Sequence, residues 1–259
     1  MMKRVRPWLA AAFAVACVTV VHAADQEKAN IQRVYNDSVA PADQVAYEAA
    51  VKSYNDCLAK NGFKYKWTAL SHETGDVYTY SYVSEPVTWS AFDQMHDVGK
   101  ICDKTWRTEA NPHVKGEVSM FLETKADMSH VQKGKDAMTS PFLDVTFIKL
   151  KRGHEASEAF ERAAKEIAAA AEKSNWPEYF TMAEVMEADR NAASYIVTWP
   201  AASWKDYGMQ DNVSMWKMVE GVKGKEATEA LRKSVNDVIE EVWSHVDSYN
   251  AELSFTPSK

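Results

Sequence analysis

Apolar residues recur along this chain with two distinct periods, and each period occurs twice. Tyr47, Ala50, Val51, Tyr54 and Leu58 fall at i, i+3, i+4, i+7 and i+11, one face of a helix. Phe160, Ala163, Ala164, Ile167 and Ala171 repeat the pattern. Pro41-Ala42-Asp43 predicts the start of the first helix and Asn61-Gly62 its end. Each helix follows a predicted strand, Ile31 to Val34 in one case and Asp144 to Lys149 in the other. Each is followed by a predicted hairpin. In the first hairpin, Phe63 to Ser71 and Val77 to Ser84 flank a turn at His72 to Asp76. In the second, Phe180 to Met186 and Ala192 to Trp199 flank Glu187 to Asn191. Strict alternation places Tyr78, Tyr80 and Tyr82 on one strand face, with Val77, Thr79, Ser81 and Val83 on the other. Helical segments begin near Trp89 and Trp204, and a long helix is predicted from Lys225 to His245. A last strand is expected at Asn250 to Phe255, with a weakly marked counterpart near Asp136 to Ser140.

The two sets of elements align as an internal repeat. Through the first helix the offset is 113, with Tyr47, Glu48, Lys52 and Lys60 meeting Phe160, Glu161, Lys165 and Lys173. It then becomes 115: Tyr80 meets Tyr195, Trp89 meets Trp204, and Ser129-His130-Val131 meets Ser244-His245-Val246. Identities nearly vanish between residues 103 and 127. The element order is βαββαβ, the ferredoxin-like pattern, occurring twice. The fold class expected is therefore α+β: two ferredoxin-like repeats, residues 24–140 and 141–259, whose sheets cover one another within one chain. The duplicated helix, the strands ending Tyr80–Val83 and Tyr195–Thr198, and the Trp89 and Trp204 that follow resemble a tandem member of the dimeric α/β-barrel superfamily. That resemblance spans about 30–258. It implies pairing of the two halves inside a monomer. It also implies a place among proteins that include cofactor-independent oxygenases, haem-degrading enzymes, isomerases and decarboxylases, which share no motif.

The N-terminus changes the picture of where the chain works. Lys3, Arg4 and Arg6 precede an uncharged apolar run from Trp8 to Val21, and Val21-His22-Ala23 supplies a cleavage signature. Residues 1–23 therefore read as a secretory signal peptide, giving a periplasmic or secreted protein. Ala14-Val15-Ala16 before Cys17 leaves a lipoprotein reading open. Removing the leader takes three of the 30 basic residues and none of the 37 acidic ones, so the mature charge is −10. An acidic chain with scattered bases disfavours nucleic acid and anionic membrane surfaces as partners. Cys57 and Cys102 survive cleavage and are a candidate disulfide.

Candidate chemistry is sparse. G-x-G-x-x-G, G-x-S-x-G, H-E-x-x-H and C-x-x-C are all absent, and Gly221 to Lys225 lacks the Ser or Thr of a phosphate loop. The aromatic strand faces are the main positive feature. Tyr78, Tyr80 and Tyr82, with Tyr195 and Trp199, would line an apolar cavity between the sheets if they faced inward, though cross-strand core packing explains such rows as well. His130 and His245 share a Ser-His-Val context and would serve as acid, base or ligand, or simply end a helix. Asp93, His96 and Asp97 share a helix spacing that fits a solvated face, and no metal site is predicted. The resulting expectation is an exported protein binding a small apolar or aromatic molecule between its sheets, with no cofactor predicted and haem left open. The alternatives are an enzyme of the resembled superfamily and a structural or interaction module.

Overall fold

The computed structural model describes residues 27–208 and 213–257; the expected signal peptide lies outside them. Eight strands run in chain order: β1 (Ile31–Val39), β2 (Trp67–His72), β3 (Thr79–Ser84), β4 (Val114–Thr124), β5 (Phe142–Leu150), β6 (Thr181–Glu187), β7 (Tyr195–Ala201) and β8 (Ile239–Phe255). Among the described residues six α-helices connect them: α1 (Gln44–Lys60), α2 (Trp89–Thr105), α3 (His154–Ser174), α4 (Trp204–Gly208), α5 (Met215–Lys223) and α6 (Lys225–Val238).

The strands form one closed antiparallel barrel in the order β1-β3-β2-β8-β5-β7-β6-β4. This corrects the expected pair of ferredoxin-like sheets lying one over the other. The halves meet edge to edge, through the β2–β8 and β4–β6 ladders. The physical reason lies in the edges. A four-stranded half leaves two rows of unpaired backbone N–H and C=O groups, and mutual pairing satisfies both rows without a second chain. At the β2–β8 seam the register slips between Trp67↔Phe255 and Ala69↔Asn250. Side chains stitch the slip: Ser254 Oγ accepts from Ala69 N at 2.9 Å and donates to the Asn250 carbonyl at 2.7 Å.

The helices pack on the outside. Tyr47, Ala50, Val51 and Leu58 of α1 are buried, the face that the periodicity predicts. Phe160, Ala163, Ala164, Ile167 and Ala171 are buried on α3 in the same way. α1 meets Tyr80, Tyr82, Ala69 and Leu253 on the outer barrel surface. Cys57 of α1 and Cys102 of α2 are disulfide-bonded, with their Cα atoms 5.8 Å apart.

Two elements fall elsewhere than expected. The fourth strand is β4, not Asp136 to Ser140, where a 3-10 turn (Ala137–Thr139) lies instead. β4 occupies the stretch where repeat identities disappear, yet Val114, Val118, Met120 and Leu122 alternate there as a strand requires. The helix from Lys225 stops at Val238, and Ile239 begins β8. The run Ile239 to Val246 pairs with β5 along its length, so tertiary pairing overrides helical continuation.

Candidate ligand chamber and polar cluster

Alternate residues of every strand point into the barrel, where they leave a chamber of about 490 Å³. Its walls are mostly apolar: Val34, Val83, Leu122, Val145, Ala183 and Ile196 all contribute. The segment between β4 and β5 borders it through Val131, Lys135 and Met138. Asp136 in that segment pairs with Lys66 at 2.7 Å, which ties the border to the start of β2. Several polar groups interrupt the apolar wall, among them Asn36, Thr181 and Thr198, and some are held by neighbours. Gln32 donates to the Ser84 carbonyl at 2.9 Å and accepts from Thr124 Oγ1 at 3.1 Å. An apolar chamber with a small number of fixed polar groups is the usual form of a small-molecule site.

The polar cluster sits at the β2–β8 seam. His245 and Asp247 line the chamber, as does Ser81. Their i, i+2 spacing on β8 puts both on the inner face. His72 ends β2 directly opposite Asp247. Its Nε2 lies 3.0 Å from Ser81 Oγ and 3.6 Å from Asp247 Oδ1. His245 Nε2 is 3.2 Å from the same carboxylate oxygen. The two imidazoles lie face to face, 4.1 Å apart. Asp247 is 2% exposed, and Oδ1 has no hydrogen-bond partner. Burial holds His72 below the ordinary histidine value, helped by His245 and opposed by Asp247. The turn after β2 covers the cluster. Glu73 N donates to the Val246 carbonyl at 2.8 Å, and Val246 N donates to Thr74 Oγ1 at 2.9 Å. Gly75 adopts φ +75°, a conformation suited to glycine, and a Cβ there would lie 3.7 Å from His245 Cβ.

Of the expected site residues, His245 alone lines the chamber. Tyr78 is partly exposed before β3. Tyr80 and Tyr82 face outward onto α1, because the opposite face of β3, with Ser81 and Val83, is the one turned inward. Their hydroxyls serve a network outside the barrel. Tyr80 donates to Glu48 at 2.7 Å, and the Tyr47 hydroxyl lies 2.6 Å from Asp37 Oδ2 and 2.9 Å from the Tyr82 hydroxyl. Tyr195 packs on Phe160 of α3 and donates to Glu161 at 3.1 Å. Trp199 packs against Trp176 and Phe180. His130 is buried beside the chamber rather than in its wall. Its Nε2 donates to the Trp176 carbonyl at 2.9 Å, and its backbone bridges to Phe180. His130 and His245 are thus not equivalent: one follows β4 and the other lies within β8. Asp93, His96 and Asp97 are exposed on α2. Trp89 and Trp204 do occupy matching positions, packing on Phe121 and Phe142 respectively.

His72 and Asp247 escape the sequence reading. The first reads as a turn residue, and the second falls between the helix expected to end at His245 and the strand expected from Asn250. The available signal is His245-x-Asp247 in a β-branched run, which is inner-face spacing once that run is assigned to a strand.

No protein-family model matches the chain, and no curated protein matches it in sequence. Solved structures do resemble it. A presumed monooxygenase from Lactobacillus acidophilus aligns with TM-score 0.56 at 11% identity, covering 88% of this chain and 97% of that one. An anthrone oxidase-like protein aligns with TM-score 0.56 at 9% identity, over 90% and 95%. A chlorite dismutase mutant from Candidatus Nitrospira defluvii aligns with TM-score 0.52 at 9% identity, over 88% and 94%. These likenesses are of fold, and the fold is that of the dimeric α/β-barrel proteins.

Proposed function

We propose that the protein binds a small, largely apolar molecule inside the barrel, oriented by the polar cluster on β2 and β8. The observation that carries this reading is the chamber of about 490 Å³, apolar along its walls with His245 and Asp247 in one of them. Burial of apolar ligand surface supplies affinity, while the few polar groups select orientation. Titration with a solvatochromic aromatic probe such as 1-aminoanthracene tests it. Saturable one-to-one binding is expected, lost in Ala183→Trp, where an indole would occupy the chamber. Absence of saturable binding by folded protein refutes the reading.

A haem does not suit these residues. Among the described residues the chamber wall carries one lysine, Lys135, and no arginine to meet the macrocycle's two carboxylates. A second reading is oxygenase-type chemistry on the bound molecule. Its support is that a polar cluster lines a mostly apolar chamber. Oxygen uptake with anthrone, chosen after the anthrone oxidase-like neighbour, and its loss on filling the chamber would test it.

The proposal includes export as a monomer. The leader pattern and the Cys57–Cys102 bond support the first, and a barrel closed within one chain supports the second. No helix among the described residues is long and apolar enough to cross a membrane. The mass of protein recovered from a periplasmic fraction, and its size by light scattering, test both parts.

A further inference from the structure

We propose that His72, His245 and Asp247 form a binding site for one first-row divalent transition-metal ion, with an open coordination position toward the chamber. The inference goes beyond ligand binding in the barrel and does not depend on it.

The buried carboxylate is the starting point. Asp247 Oδ1 is sealed from solvent, lacks any hydrogen bond, and lies on a side chain only 2% exposed. Two imidazole nitrogens lie at 3.2 and 3.6 Å, yet neither directs an N–H at it. Among the described residues these imidazoles are its sole ion-pair partners; no lysine or arginine answers the charge. Buried charges are ordinarily paired or coordinate metals.

The distances suit a shared ion. With metal–ligand arms of about 2.0–2.1 Å, neighbouring ligand atoms in a tetrahedral set lie about 3.3 Å apart. The observed separations of 3.2 and 3.6 Å bracket that edge, and one ligating atom from each residue lies within 4.8 Å of the others. Binding one ion requires the stacked rings to splay so that both Nε2 lone pairs turn toward a point beside Oδ1. Two imidazoles and one carboxylate suit zinc or ferrous iron and leave coordination positions unfilled. Because His245 and Asp247 lie in the chamber wall, the unfilled side faces the chamber. Ser81 Oγ, 3.0 Å from His72 Nε2, engages that nitrogen in the metal-free protein and would give it up to the ion.

The test uses chelator-treated full protein titrated with zinc by calorimetry and with cobalt(II) by absorption. One site with a Kd of about 10 μM or tighter is expected, with visible cobalt d–d bands. Asp247→Asn should weaken zinc at least about a hundredfold. It should leave the metal-free melting temperature unchanged or higher, since the amide removes a buried charge that no hydrogen bond meets. His72→Gln and His245→Gln should each remove the cobalt bands, whereas exposed His154→Ala should not. Ala183→Trp, which closes the chamber to the probe, should retain metal, so failure of either reading shows separately. Folded wild-type protein that shows no saturable zinc binding overturns the proposal. So does binding that survives unchanged in Asp247→Asn or in both glutamine variants.

Discussion

Asp37 offers a quantitative test of how the helix α1 is docked. Its side chain is fully buried between β1 and α1, and Oδ1 has no partner. Desolvation pushes its carboxyl up to about 7 from an ordinary 3.8, against the hydrogen bond from Tyr47 and with the aid of Glu117 opposite it on β4. The folded state therefore holds a proton that the unfolded chain has released. The contribution is fully favourable below pH 3.8 and is lost as pH rises through about 7. At about 1.4 kcal/mol per unit, the shift amounts to about 4 kcal/mol across that window. Asp37→Asn keeps an acceptor for the Tyr47 hydroxyl and removes the titration. Urea unfolding of both proteins at pH 4.5, 6 and 7.5 should show the variant gaining on wild type at each step, by about 1 kcal/mol per unit or more between the outer points. Tyr47→Phe should move the wild-type transition to still higher pH, because it deletes the bond that favours the anion. A stability difference independent of pH would refute the reasoning, as would a wild type that gains from Asp37 ionisation.

Three further outcomes follow from other parts of the structure. Reducing the Cys57–Cys102 bond, or replacing both cysteines with serine, should lower stability by about 3–4 kcal/mol, since the bridge spans 45 residues of sequence; thermal melts with and without reductant measure it. Tyr80→Phe and Tyr195→Phe should leave probe affinity within about twofold, because both hydroxyls bond to acids on the outer helices and not to the chamber; fluorescence titration checks this, and a large loss would return the tyrosines to the site. Gly75→Ala should cost about 1 kcal/mol in chemical denaturation, from the strain of φ +75°.

Helix faces were legible because a 3.6-residue period survives in any environment: Tyr47 to Leu58 and Phe160 to Ala171 bury the side that the spacing marks. Strand faces were harder to orient. Alternation separates Tyr80 and Tyr82 from Ser81 and Val83, but both sides of this barrel are buried, one by helices and one by the opposing wall. On β3 the tyrosines fill the helix layer, and the smaller Ser81 and Val83 turn toward the chamber. The closure itself was illegible, since an edge strand and a seam strand carry the same alternation until their partner is known. β8 failed for a related reason. Lys225 to Val238 is strongly helical in pattern, nothing like Gly or Pro interrupts the next residues, and only pairing with β5 and β2 makes them extended. Losing that strand hid the seam cluster, because His245 and Asp247 share a face only at period two and His72 joins them from the other half of the chain.

The most direct measurement is a crystal structure of the protein soaked with a small bromoaromatic probe, read by anomalous scattering. Occupancy of the barrel interior predicts a bromine peak enclosed by Val83, Leu122, Ala183 and Ile196 and absent from crystals of Ala183→Trp. Bromine found only on the outer surface, with the interior filled by protein side chains, would contradict the account.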